Sequence, residues 1–422
     1  MIAHEGSSGA GDLDIVGIGE LHRVSDRGSP RRGSREQANT SPVRDAVVSI
    51  RGGRVVAAGH RSEVPLGGDA RVIDAGGGVV TPGLVESHAH PLFAGNRSHE
   101  YTRRLRGLPA SIIGDDESGG IKYTVRRTRE ADGEFLAERL TRFLDAAADS
   151  GVTTCEVKGG YGLELEEERR HLEIISRVAA RHEVRVVPTF AAAHDVPAGM
   201  GADAHAEDVA SRMLPLIASL FPAALNDVTC ERGVLTPHQA ELVLHAARLA
   251  GLRSIVHADA FADSGGWGTA VRAEALSAHH LTYTPEDVIS RHAGVRTVAT
   301  VLPMAELVYL TDRRAPARAF IDHSVPLAVA TDYCSSIGAS SLLRTMLLAA
   351  PWFGLDPAET LVAATLNAAY AIGASDRCGS IDPGKSGDLV IFAERTLDDV
   401  FWAEPVPPTV VRAGHIVRSH HG

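Results

Sequence analysis

The sequence predicts an α/β protein: a parallel (β/α)8 barrel of the TIM type with a small β-sandwich domain formed from the N- and C-terminal segments. Three observations carry this. Between positions 79 and 331, short apolar, β-branched segments recur eight times. Stretches with apolar residues at helical spacing lie between them. At both chain ends, strand-turn-strand patterns appear instead. Repeated strand-helix alternation argues for a closed barrel over an open doubly wound sheet. Short terminal strands need partners to be stable, so the two ends are expected to share one domain.

Residues 1–78 form the first part of that domain. A short apolar stretch at 14–18 is followed by a Ser/Arg/Gly-rich segment at 25–41, expected to be a mobile loop within a flexible stretch of about 22–45. Segments 46–50 and 54–58 then flank Arg51-Gly52-Gly53 as a hairpin. Residues 79–374 are expected to be the barrel, with strands at 79–86, 152–157, 184–190, 227–230, 253–257, 275–279, 295–302 and 325–331. Helical spacing places helices at 135–148, 166–180, 206–220, 237–250, 285–293 and 315–321, continuing at 341–350 and 357–372. Residues 375–422 complete the β domain with strands at 388–392 and 409–417.

Composition narrows the function. With 44% hydrophobic and 23% charged residues the chain is an ordinary globular one. A net charge of -11 offers no basic surface to a nucleic-acid backbone. No apolar run approaches the roughly 20 residues needed to cross a bilayer, and no export signal is seen. Cys155, Cys230, Cys334 and Cys378 are scattered without C-x-x-C spacing, which suits a reducing compartment, the cytoplasm. The pairs Gly119-Gly120, Gly159-Gly160 and Gly265-Gly266 do not follow dinucleotide or phosphate-loop spacings.

Barrel active sites form at the C-terminal ends of the strands. The first strand runs into His88-Ala89-His90, where alternate side chains of extended backbone share a side and can meet one ion. The second ends Glu156-Val157-Lys158, the third reaches His194, and the fifth ends His257-Ala258-Asp259. The sixth ends His279-His280 and the eighth Thr331-Asp332. Polar groups so placed need partners, because burying them unpaired costs stability. Asp259, Lys158 and His279 read as structural. His88, His90, His257 and Asp332 make a mixed N/O set for one divalent ion, zinc or iron(II), with open positions for water. Such an ion acidifies bound water towards a pKa of about 7. Asp332 can then shuttle the water's proton to a leaving nitrogen, and His280 can orient the water or polarise a carbonyl.

Together, Thr81-Pro82-Gly83-Leu84-Val85-Glu86-Ser87-His88-Ala89-His90, His257, His279-His280, Ala330-Thr331-Asp332 and the closing segment at 379–389 resemble the amidohydrolase superfamily. Within it the chain is most similar to the imidazolonepropionases, which open 4-imidazolone-5-propanoate to N-formimino-L-glutamate in histidine degradation. That likeness rests on Phe93-Ala94-Gly95-Asn96-Arg97, the segment at 124–129, Glu156-Val157-Lys158-Gly159-Gly160-Tyr161-Gly162, Ala193-His194 and Ser277-Ala278-His279-His280. It implies a single zinc or iron on His88, His90, His257 and Asp332, and substrate contacts from Arg97, Tyr161 and His194. A small carboxylated substrate is the implied partner, with Arg97 as the fork for the acid; dimers among relatives make a homodimer the analogous assembly. Lys158 in this context fits the single-metal group rather than a carboxylated bridge between two metals.

The chain departs from that pattern at Ala260, where Glu or Gln is usual, and at Cys334, within a loop that is usually Asp-Phe-Asn or Asp-Cys-Asn. It departs also at Met304, since Leu302-Pro303-Met304 stands where Leu-Pro-Gly is usual, and at Ala110, where a tyrosine is usual. Losing hydrogen-bonding wall residues can shift discrimination by powers of ten. The expectation is therefore a metal-dependent hydrolase of a carboxylated five-membered ring. Its alternatives are a relative acting on a hydantoin- or thiohydantoin-like ring, a deaminase, or a ligand-binding barrel without catalysis. Cys334 reads as a small wall residue, since no base pairs with its thiol.

Overall fold

The computed structural model describes residues 11–67, 69–107, 119–402 and 407–419. Its larger sheet contains eight parallel strands in chain order: Leu84–Glu86, Val152–Lys158, Arg185–Ala193, Leu225–Cys230, Ser254–Ala258, Ser277–His280, Val298–Val301 and Leu327–Val329. Each of the eight expected segments contributes a strand in this order, the first only through its C-terminal half. Apart from the half-buried start of Arg185–Ala193, the strands are buried along nearly their whole length, as expected when helices cover one face and the barrel interior the other. The helix Gly133–Asp149 shows the pattern: Asp132 caps it by accepting from the Glu134 N–H, and Leu136, Leu140, Phe143, Leu144 and Ala147 line its buried face.

The ring closes beyond the strand ends. Ala89 bridges Tyr333 in parallel register, the His90 N–H donates to the Tyr333 carbonyl at 2.7 Å, and the Asp332 N–H donates to the His88 carbonyl at 3.2 Å. Glu86 straddles this seam, accepting from the His88 N–H at 3.0 Å and the Thr331 N–H at 3.3 Å. The residues that close the barrel are therefore those that carry the expected ligands.

The segment read as a single strand at 79–86 is two strands in two sheets. Val79–Pro82 pairs with Leu13–His22 and Leu389–Ile391, whereas Leu84–Glu86 enters the barrel. Gly83 is the crossing point: a Cβ there would lie 2.1 Å from the Thr153 hydroxyl oxygen, so only glycine lets the chain pass. The second sheet is mixed, ordered His415–Arg418, Thr409–Arg412, Leu389–Ile391, Val79–Pro82, Leu13–His22, Pro42–Arg51 and Arg54–His60, with Arg71–Asp74 on Leu13–His22. Its two ends meet: Val48 and Val55 share one core with Leu389 and Val411, and the Gly387 N–H donates to Gly53 O at 2.9 Å.

The segment 25–41, expected to be a mobile loop, is packed instead. It contains the short helix Gly33–Gln37, and the Gln37 amide donates to Leu327 O at 2.9 Å while Asn367 Nδ2 donates to Gln37 Oε1 at 3.0 Å. The Arg31 N–H donates to Asn367 Oδ1 at 2.8 Å. Polar residues that composition assigns to solvent here satisfy backbone groups at the base of the eighth strand. Among the described residues, no helix is long and apolar enough to cross a membrane.

Candidate active site

His88 and His90 continue the first strand, and their Nε2 atoms lie 3.2 Å apart. His257, at the end of the fifth strand, brings its own Nε2 within 3.2 Å of His90 Nε2. Asp332 follows the eighth strand, with Oδ1 3.4 Å from His88 Nε2. Asp332 and His280 both adopt left-handed backbone, with φ of 54° and 72°, an uncommon conformation held here at the strand ends. His280 Nδ1 or Nε2 lies within 4.8 Å of His88 and Asp332 ligand atoms.

This donor set fits a cation. Three imidazole nitrogens converge, with His90 Nε2 3.2 Å from both His88 Nε2 and His257 Nε2, and neutral rings that turn their lone pairs inward would offer all three to one ion. Burial, assisted by the nearby Lys158 charge, holds His88 well below the ordinary histidine range. Burial likewise pushes the Asp332 carboxyl up to about 8. A buried carboxylate short of positive charge, beside inward-facing nitrogen lone pairs, is what a divalent ion completes.

Beneath these candidate ligands lies a buried polar floor that sequence reasoning only partly found. Asp227, from the fourth strand, accepts from His257 Nδ1 at 3.0 Å, which leaves Nε2 free to face the cavity. Lys158 sits between Glu156 at 2.9 Å and Asp227 at 3.1 Å, all three fully buried. Its neutralisation by two carboxylates makes it structural. His279 contacts His88 through their Nδ1 atoms and meets the Ser277 hydroxyl at 2.6 Å. Asp259 accepts from the Gly266 and Trp267 N–H groups and the Thr284 hydroxyl, fastening the helix Gly266–Arg272. No site residue was drawn from the fourth strand in the sequence, so Asp227 went without a role. Its signal was a carboxylate within an apolar strand, which needs a partner.

A cavity of about 400 Å³ opens above this floor and is lined by His90, His257, His280 and Asp332, together with Arg97, Tyr161 and His194. The expected site residues are thus brought together, with His88 fully buried just below. Arg97 precedes the helix Ser98–Leu105, and its N–H donates to Ser335 O at 2.7 Å. Tyr161 stands on a loop whose Gly160, Gly162 and Leu163 N–H groups donate to Glu168 at 3.0, 2.8 and 3.1 Å. His194 lies 4.7 Å from His90 and 4.8 Å from His257, ring centre to ring centre.

Two of the departures from the family pattern, Ala260 and Cys334, line the cavity. Ala260 lines the cavity, and its N–H donates to Glu231 Oε2 at 2.6 Å. Met304 packs against the apolar cluster of Leu302, Ala305, Ala330, Cys334 and Ile337. The Cys334 thiol is buried and pushed up to about 12, chiefly by burial, consistent with an inert wall residue. Ala110 lies outside the described residues.

Residues 79–417 match the amidohydrolase family. The chain belongs to that family. Among curated relatives, the imidazolonepropionase of Geobacillus kaustophilus is 40% identical over 386 residues, covering 89% of this chain and 90% of that one. The imidazolonepropionase of Symbiobacterium thermophilum is 39% identical over 393 residues, covering 91% and 92%. Among solved structures, atrazine chlorohydrolase from Arthrobacter aurescens complexed with zinc superposes with a TM-score of 0.69 at 16% identity, covering 96% of this chain and 95% of that one. Molinate hydrolase gives 0.66 at 21% identity, covering 97% and 95%. These two likenesses establish the amidohydrolase fold. The protein is accordingly a metal-dependent hydrolase acting on C–N bonds, with its strand-end histidines as the candidate metal centre.

Proposed function

We propose that this amidohydrolase opens 4-imidazolone-5-propanoate to N-formimino-L-glutamate, using one zinc or iron(II) ion held by His88, His90, His257 and Asp332. The observation that carries the reading is that a cation-ready His/Asp cluster and the Arg97 guanidinium line the same cavity. When bound, the ion supplies the Lewis acidity that makes water a nucleophile near neutral pH.

The chain's own groups do the rest. Arg97 takes the propanoate carboxylate as a planar fork, and Tyr161 and His194 flank the ring and orient it. His280 directs a nitrogen at the ring carbonyl oxygen and favours the charge that develops there. Asp332 accepts a proton from the attacking water and passes it to the departing ring nitrogen. Water thus adds across the C–N bond: its oxygen joins the carbonyl carbon, and the released nitrogen gains a proton. All four cysteines are free and buried, which favours the reducing cytoplasm as the compartment.

The second reading is a relative acting on a hydantoin- or thiohydantoin-like ring, or a deamination in which ammonia leaves. Ala260, with Glu231 occupied by the loop N–H groups of Ala260 and Phe261, and the apolar Met304–Cys334 wall favour it. Steady-state kinetics on metal-replete protein with a panel of carboxylated five-membered rings decides between them. The first reading expects kcat/KM to be highest for 4-imidazolone-5-propanoate. Full metal occupancy with no opening of that ring removes the named substrate. Failure of Ala260→Glu to raise activity on it favours the second reading.

A further inference from the structure

We propose that Arg104 is the second guanidinium of the acid-binding end of this cavity, so that one substrate carboxylate sits between Arg97 and Arg104. The inference rests on reading the cavity as a site for a carboxylated ring, and it identifies what selects the acid.

Positions 97, 100 and 104 follow one another along one face at the start and first turns of Ser98–Leu105. All three residues line the cavity. Glu100 stands between the two arginines, with Oε2 3.5 Å from Arg97 Nε and 3.5 Å from Arg104 Nη1. Its Oε1 accepts from the Gly120 N–H at 2.7 Å, so the carboxylate is fixed in place. Arg104 is only 5% exposed, yet its Nε and Nη2 have no hydrogen-bond partner among the described residues. Arg97 Nε also lacks one there.

The alternative, a salt bridge that merely ties the helix together, leaves a charge unanswered. Among the described residues, two guanidinium groups share one carboxylate at contacts too long for strong hydrogen bonds, which leaves one buried positive charge over. One further carboxylate brings the cluster to neutrality and offers acceptors to the open N–H groups. The guanidinium of Arg104 also lies 5.1 Å from the centre of the Tyr309 ring, which holds it in place. The Tyr309 hydroxyl is engaged with Ser336 Oγ at 2.8 Å and does not compete for the acid. A monoanionic arm is therefore the ligand this end fits.

Calorimetric titration of the metal-loaded full chain with imidazole-4-propanoate and with its carboxamide tests this without requiring turnover. Wild type is expected to bind the acid about 10- to 100-fold more tightly than the amide, the range of a charge-assisted pair. Arg104→Gln should lose about tenfold of that preference while binding the amide as wild type does, and Arg104→Lys should recover part of it. The proposal is overturned if Arg104→Gln keeps the wild-type preference, if its affinity for acid and amide falls equally, or if wild type shows no preference. Should Arg104→Gln not fold, a preference in Arg104→Lys equal to wild type overturns it. Turnover of 4-imidazolone-5-propanoate on the same wild-type sample separates the two claims. An intact acid preference without turnover defeats the named substrate and leaves Arg104 in its role.

Discussion

The floor of the cavity and its arginine wall bury charge in opposite ways. On the floor, Glu86, Glu156, Lys158 and Asp227 are fully buried, and each finds its partners within the chain. On the wall, Arg97 and Arg104 are nearly as buried but share Glu100 and keep donors open. The floor is completed by folding alone. In the proposed function the wall, like the inward faces of His88, His90, His257 and Asp332, is completed by what binds. The difference separates residues that position chemistry from those that select its substrate.

Breaking the ligand face should have the largest effect. Asp332→Asn is expected to lower kcat by about 10²–10⁴-fold, since it removes a proton carrier and an anionic ligand together. Kinetics alongside metal analysis will measure both losses. One layer down, Asp227→Asn leaves His257 in place but removes the acceptor that fixes its ring. Apparent metal affinity should fall about 10- to 100-fold in a competition titration with a chelator. On the wall, Arg97→Lys keeps the charge and loses the fork. KM for a carboxylated substrate should rise about tenfold with kcat little changed; an equal fall in kcat would move Arg97 from the wall to the chemistry.

The smallest effect sharpens the contrast from below. Burial alone would raise the Glu168 carboxyl, but His171 and the N–H groups of Gly160 and Leu163 outweigh it and hold it below the ordinary glutamate range. A depressed folded-state pKa contributes stability above the unfolded value of about 4.3, and this is lost as pH falls through the folded value. Glu168→Gln should therefore cost about 1–3 kcal/mol near neutral pH, and its gap from wild type should close below about pH 4 in urea titrations.

Much of this was legible in the sequence because six of the eight barrel strands end in polar residues after an apolar run. His88, His90, His257 and Asp332 are visible that way, and the strand-helix alternation gives the frame. The floor was less legible: Asp227 and Glu156 lie inside strands, and only three-dimensional pairing with Lys158 and His257 gives them a purpose. The wall was least legible. Ser98–Leu105 is short and rich in charge, without an apolar stripe to mark it, so nothing in the sequence singled out Glu100 or Arg104. The segment at 25–41 misled for the same reason, because Gln37 and Arg31 use their polar groups internally.

The most direct test is a titration of metal-free protein with zinc or iron(II), following loss of 4-imidazolone-5-propanoate. Activity should rise in proportion to added metal and break at one ion per chain, with Asp332→Asn flat throughout. One ion bound per chain with no ring opened, or a break at two ions, would contradict the account.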